Sequence, residues 1–374
     1  MRMTTCCLLV AFSIQAPATI PVCDLPEFAS IDESEPLFNT TSTGFERITV
    51  SGEPIFRVGS VFDEIPGRVG HHAASIIAFP DGALLAAWYS YTGPGELDGS
   101  AIYMARRAKG RGNWEAPRLH IDRVVSDGNP VLYGEGDSVW LFQAVVPFGW
   151  STSRIEMQRS SDRGRTWTSP ESIPGPIGSN VRYPPLRLMD GSLLLPAYDD
   201  LLQRALFFSS QNGRQWALAS VVVGGLSERP IQPSMVQLDD CRLLSVMRNS
   251  GGDWLWVAGS GDGGQSWSRP RDSGFPNPGS PAALLKLASG KLILVYNASR
   301  TERSPLCVAV SADDGRTWPH RRVLVEGEER YSYPSATQSS DGLVHIVYSL
   351  ARRSIQHVTI NEAWIVESQT GVGP

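Results

Sequence analysis

A chain of 374 residues, 41% of them hydrophobic and 19% charged, is long enough for one large core or two ordinary domains and too apolar to stay disordered. Its net charge of −5 argues against a general nucleic-acid binder. The 33 basic residues are 30 Arg and 3 Lys, so a single isolated Arg carries little information.

Residues 1–18 read as a secretory signal. Arg2 supplies the charge, residues 6–12 the apolar run, and Gln15-Ala16-Pro17-Ala18 the small residues for cleavage. The expected location is therefore secreted or extracytoplasmic. Residues 19–45 form an N-terminal extension. No later stretch approaches the ~20 apolar residues of a membrane span. Export leaves Cys23, Cys241 and Cys307, an odd set that makes no disulfide scaffold. Asn39-Thr-Thr and Asn297-Ala-Ser are glycosylation sequons; the second lies near the expected site mouth and should be unused or turned outward.

From residue 46 onward the chain repeats. Ser160-Ser-Asp-Arg-Gly-Arg-Thr-Trp167, Ser209-Ser-Gln-Asn-Gly-Arg-Gln-Trp216, Ser260-Gly-Asp-Gly-Gly-Gln-Ser-Trp267 and Ser311-Ala-Asp-Asp-Gly-Arg-Thr-Trp318 share one pattern, and Lys109-Gly-Arg-Gly-Asn-Trp114 is a worn copy. A turn dipeptide followed by an apolar strand recurs in step at Asp81-Gly82, Asp137-Ser138, Asp190-Gly191, Asp240-Cys241, Ser289-Gly290 and Asp341-Gly342. Short β runs and Gly turns at a period near 50 residues mean propeller blades. The fold class is all-β: one six-bladed β-propeller of four-stranded antiparallel blades over 46–363, with a tail at 364–374. The run 48–56 is expected to complete the last blade, closing the ring and removing its open edge.

The repeated box resembles the Asp-box of sialidases and related proteins. Its chemistry is local: Asp and Ser bond turn amides, Gly takes the φ > 0 position, and Trp packs between sheets. Asp162, Asp262 and Asp313 are therefore expected at the periphery, not in catalysis.

Counting back eight or nine residues from each turn gives one position per blade at the start of the inner strand. These positions hold His72, Asn129, Arg182, Gln232, Ser280 and Tyr333. Polar groups at six equivalent strand starts point to a ligand site on one face. The next strand ends on that face. There it adds Glu96 and Asp98, Phe148 and Trp150, then Tyr198, Asp199 and Asp200, and finally Arg248, Arg303, Arg352 and Arg353. Arg forks hold carboxylates, so Arg182, Arg248, Arg303 and Arg352 suggest an anion pocket.

The resemblance to sialidases extends to these positions. It implies Tyr333 as nucleophile, Asp98 as general acid with Glu96 as its rival, and Arg248 and Arg303 as ligands of a substrate carboxylate. Three departures stand out. His72 replaces the first Arg, Gln232 replaces the Glu that activates the Tyr, and Ser349 replaces a carboxylate of the last blade. With Gln232 unable to act as a base, His72 is the nearest base for Tyr333. Phrases such as Ile231-Gln-Pro-Ser234 and Ser332-Tyr-Pro334 resemble a divergent sialidase-like group usually labelled predicted neuraminidases. The expected function is an exo-acting glycosidase on a terminal acidic sugar, with Asn129 among the substrate-binding groups. It needs no cofactor or metal. The alternatives are an acidic-polysaccharide hydrolase or lyase on the same scaffold, and a carbohydrate-binding propeller without catalysis.

Overall fold

The computed structural model describes residues 52–225 and 228–367. Within them six antiparallel sheets follow one another in sequence order. Blade 1 comprises Gly70–Ala78, Leu84–Tyr91, Ala101–Arg107 and Arg118–Ile121. Blade 2 runs from Ser126–Glu135 to Glu171–Ser172, blade 4 from Pro230–Gln237 to Arg271–Pro276, and blade 5 from Ala283–Lys286 to His320–Val325. Blade 3 differs in its inner strand, which is broken into Ser179–Val181 and Leu186–Arg187.

The apolar pattern follows from how blades stack. A second strand such as Leu84–Tyr91 or Leu292–Asn297 is buried along its whole length, because neighbouring blades cover both of its faces. The outer strand His320–Val325 is solvated on one side and largely alternates. The core is therefore a ring of layers between blades. Phe207 and Leu194 of blade 3, for example, pack with Met235, Leu243 and Ala258 of blade 4.

The repeated boxes are the rivets of this ring. In blade 2, Asp162 accepts the Thr166 amide (2.9 Å) and hydroxyl (2.6 Å), and Ser160 Oγ accepts the Gly164 amide (2.7 Å). Each box Trp then packs on the preceding blade. Trp216 meets Phe142 with centroids 5.4 Å apart, Trp267 stacks on Phe207 at 4.2 Å, and Trp318 meets Phe275 at 5.6 Å. Even the worn copy obeys: Trp114 stands edge-on to His357 of the last blade at 5.4 Å. Asp313→Ala should thus lower stability by about 1–3 kcal/mol, the worth of charge-assisted bonds to Thr317, and leave the chemistry on the far face unchanged. Denaturant titration alongside an activity assay checks both parts.

The ring closes between its ends. The last blade comprises Tyr331–Gln338, Val344–Leu350 and Ser354–Ile360, and its outer strand is Phe56–Ser60, with Phe56 opposite Ile360. The closing strand thus starts where the sequence-based range 48–56 ends; residues 48–51 lie outside the described residues. A short helix, Glu362–Val366, follows, capped by the Asn361 side chain on the Trp364 amide (3.0 Å). Trp364 stacks on Phe56 at 4.8 Å, which docks the helix on the closing strand. Asn297 is fully buried, its amide donating to the Tyr331 carbonyl (2.8 Å), which bars glycosylation of the folded chain.

Four imidazoles are buried neutral, His72 and three others. Burial, helped by Arg68, pulls His71 down to about 4; burial and Arg107 do the same to His345; His357 lies well below its ordinary value for similar reasons. The folded state refuses protons that the unfolded chain accepts near 6.5. Their contribution is complete above about pH 6.5 and drains away as pH falls toward about 4. Tm should decline steadily across that window; a flat Tm would contradict the assignment.

Candidate active site

The inner strands place the site through one repeated irregularity. Pairing with the second strand jumps between His72 and Ser75, Gly128 and Val131, Ile231 and Ser234, and Ser332 and Ser335. At each jump two residues oppose one on the partner strand, and the first of the two is left-handed: Ala73 (φ 52°), Asn129 (45°), Gln232 (53°) and Tyr333 (58°). In three of the four blades the second is Pro, which has no N–H to leave unpaired. A non-Gly residue in this conformation costs about 1–2 kcal/mol, and such bulges re-aim side chains next to active sites. In blade 3, Arg182 follows Val181 at the break and takes the same place.

This geometry corrects one expectation. The bulge residue of blade 1 is Ala73, not His72, which sits one residue earlier and pairs with Tyr89. Ala73 lies eight residues before Asp81 and His72 nine.

Tyr333 is the centre of the cluster. Its hydroxyl meets Arg248 Nη1 at 3.3 Å and Gln232 Nε2 at 3.5 Å, and the Arg303 guanidinium lies 5.5 Å from its ring centroid. Burial alone pushes the phenol up. Arg248, Arg303 and the Gln232 bond outweigh it, and the phenol ends below its ordinary value. Arg303 itself falls to about 10, chiefly through burial and the crowding of Arg248, Arg330 and Arg352. Its Nη2 donates to the Gly279 carbonyl (3.0 Å), while Nε of Arg303, Nε of Arg248 and Oγ of Ser280 are buried without protein partners.

His72 lies against Tyr333, with ring centroids 4.1 Å apart, but it is Arg248 and Gln232 that reach the phenol oxygen. His72 Nδ1 is fixed by Ser349 Oγ (2.8 Å) and Nε2 has no partner. Burial first, then four arginines, hold this imidazole well below its ordinary value, so it is neutral. Ser349, where a carboxylate was expected from the resemblance, is thus the group that orients His72.

The two loop acids have different surroundings. Glu96 accepts the Tyr89 hydroxyl (2.7 Å) and pairs with Arg352, bridging blades 1 and 6. Asp98 is exposed and accepts the Gly95 amide (2.8 Å), which shapes its own loop. Asn129 donates to Asn180 (3.0 Å) and to the Tyr198 hydroxyl (3.2 Å), which also receives Gln232. Asp200 stands near the same group; burial raises its carboxyl while Ser151 and Arg248 oppose that.

Arg182 departs from the role expected of it. It is 1% exposed, and its guanidinium donates to the carbonyls of Ala73 (3.3 Å), Ala74 (3.1 Å), Tyr333 (2.6 Å) and Pro334 (3.1 Å). It ties the bulges of blades 1 and 6 together through both Nη groups, and among the described residues its buried Nε has no hydrogen-bond partner. Tyr89 and Asn180 were missed. Tyr89 shares a strand face with Tyr91 by the two-residue alternation, which was signal enough. Trp150 caps the aromatic side of the pocket next to Tyr89 at 6.1 Å, and a Cβ on Gly128 would fall 2.6 Å from its ring.

Comparison with known proteins agrees with this layout. The family model for the BNR repeat-like domain matches residues 82–346. A sialidase of Micromonospora viridifaciens is 30% identical over 229 residues, 58% of this chain and 34% of that protein. A sialidase of Bacteroides fragilis is 22% identical over 234 residues, 56% of this chain and 42% of that one. The aligned regions thus span between a third and under half of these curated relatives. Among solved structures, a leech intramolecular trans-sialidase complexed with 2,7-anhydro-Neu5Ac has a TM-score of 0.71 at 13% identity, over 85% of this chain and 71% of that one. A Hadza microbial sialidase has 0.70 at 17%, over 80% and 67%. These likenesses show the fold.

Proposed function

We propose, for a chain that belongs to the BNR repeat-like domain family and folds as a sialidase-like propeller, that it is a retaining exo-glycosidase releasing a terminal acidic sugar such as sialic acid. The observation that carries this reading is Tyr333, a buried phenol held below its ordinary value by Arg248 and Arg303. Tyr suits a substrate with a carboxylate at the reacting carbon, since a carboxylate nucleophile would be repelled. Arg303 and Arg248 receive the substrate acid, their Nε groups being buried without protein partners. Asp98, which is exposed on the loop, protonates the leaving oxygen, whereas Glu96 is engaged by Tyr89 and Arg352. The cations take over the activating role that Gln232 cannot perform.

A second reading draws on a separate observation. The neutral His72 beside Tyr333, within a ring of arginines, also suits β-elimination from a uronate, with His72 as base and Tyr333 as acid. Incubation with sialosides and with uronic-acid oligosaccharides separates the two. New reducing ends without ultraviolet absorbance of an unsaturated uronate support the hydrolase. Unsaturated product selects the lyase, and binding without product selects a lectin-like role.

Arg303→Ala should lower kcat/KM by about 10- to 100-fold, mainly through KM, since a charge-assisted bond to the substrate acid is worth about 1.5–3 kcal/mol. Steady-state kinetics on an acidic and a neutral aryl glycoside check it, because only the acidic one should respond.

A further inference from the structure

The worn box of blade 1 departs from the others in charge. Aligned on the Trp, the Ser, Asp and Gly of the pattern become Arg107, Lys109 and Arg111, with Asn113 before Trp114. Elsewhere the box folds a carboxylate, or in blade 3 the Asn212 amide oxygen, onto its own amides. Here three cations crowd the turn, and the closing strand adds Arg57 from across the seam. Between them lies a cavity of about 300 Å³. Gly59, Gly110 and Gly112 line it, and a Cβ on any of the three would meet nothing within 4 Å. The Lys109 stem rests on Gly82, 3.6 Å from where a Cβ would stand, at φ +82°.

Among the described residues none of these four cations pairs with a carboxylate. Asp81, the nearest turn acid, is engaged by Arg163 (2.9 Å), and Asp341 accepts the Ser339 hydroxyl (2.5 Å) and the Leu343 amide (3.3 Å). Burial and then the Arg57 charge pull Arg107 down, opposed by the more weakly acting Asp341, which also lines the cavity.

A relay of fixed polarity aims Arg107. An Arg only donates, so Nδ1 of His357 accepts from it (3.3 Å), and His357 must carry its proton on Nε2. That nitrogen donates to Nδ1 of His345 (3.2 Å), and His345 Nε2 donates to Ser339 Oγ (3.0 Å), which in turn donates to Asp341. Nη1 of Arg107 is thus engaged, and among the described residues Nη2 makes no hydrogen bond. The relay holds one guanidinium from behind, as the residues behind a metal or anion ligand do. The half-buried Trp114 beside it offers an apolar face to a sugar ring.

We propose that this seam between the first and last blades binds an oxyanion group, the sulfate or carboxylate of an acidic glycan, on the face opposite Tyr333. Strand Ala101–Arg107 runs from one face to the other, placing the two sites roughly 20 Å apart at ~3.3 Å per residue. The seam site is therefore an anchor separate from the chemistry, and it stands whether or not Tyr333 acts as a nucleophile.

The test is calorimetric titration of the full chain, at low salt, with a heparin-derived hexasaccharide and separately with inorganic phosphate. The comparison protein is R57Q/K109Q/R111Q, whose three positions are exposed. The hexasaccharide should bind the wild-type chain, weaken as salt rises, and lose at least tenfold in affinity in the variant at unchanged Tm. Binding of phosphate alone, with the same sensitivity to the variant, keeps the pocket and makes free phosphate its source. Equal affinity in the two proteins, or no binding of either probe, overturns the proposal.

Discussion

Tyr333→Phe should lose on the order of 10³-fold or more in kcat while KM changes little. The substitution removes one oxygen. The ring that packs on His72 at 4.1 Å and lies under Arg303 at 5.5 Å remains, so the pocket keeps its shape and its cations. Only the nucleophile is gone, together with its contacts to Arg248 and Gln232. The bound but unreacted complex should therefore be isolable, and substrate should still raise Tm. Steady-state kinetics with a fluorogenic sialoside and thermal shift measure the two halves. Full activity in the Phe variant would refute the nucleophile assignment and bring the lyase or binding reading forward.

The second large effect is on stability. Arg182→Ala should destabilise the fold by about 3–5 kcal/mol, at the upper end for a single substitution. Four carbonyls of blades 1 and 6 lose a buried charged donor at once, and a cavity opens beneath the pocket. Arg182→Lys should rescue little, because an ammonium on a single stem cannot fork across carbonyls on two blades. Both variants should lose activity through the displaced Tyr333 backbone as well. Chemical denaturation, with Tm lowered by roughly 10 °C, checks the magnitude. A near-native Tm for the Ala variant would mean that the tie is dispensable.

The propeller was legible because its signals repeat. Five Trp boxes and six turns in step leave few alternatives, and the box chemistry is local enough to be read from side chains alone. The convergence of Tyr333, Gln232 and Arg248 followed from the same period, since equivalent positions in different blades face one axis. Direction was not legible. Arg182 occupies a ring position as Gln232 does, yet one guanidinium turns down onto carbonyls and the other side chain turns toward the phenol. Nothing in composition separates those outcomes. Blade 1 misled for a similar reason: without a Pro after its bulge, the count could not distinguish Ala73 from His72. The partition of roles between Glu96 and Asp98 depends on a loop whose shape the Asp98 carboxylate itself sets. The helix at 362–366 is one turn and a half, too short to show a period.

The pairing of Phe56–Ser60 with Ser354–Ile360 has a consequence in time as well as space. Its partners are some 300 positions apart, as Phe56 and Ile360 are, so their encounter carries the largest loop-closure entropy of any strand pair among the described residues. A nascent chain cannot make this contact until residue 360 has left the ribosome. The early blades can meanwhile form from local hairpins. The groups around Tyr333 straddle that same junction: His72 and Glu96 come from the first blade, Arg352 and Ser349 from the last. The cluster around Tyr333 is thus assembled only when that junction forms, and a chain stalled one strand short would look almost native in its secondary structure with the cluster incomplete.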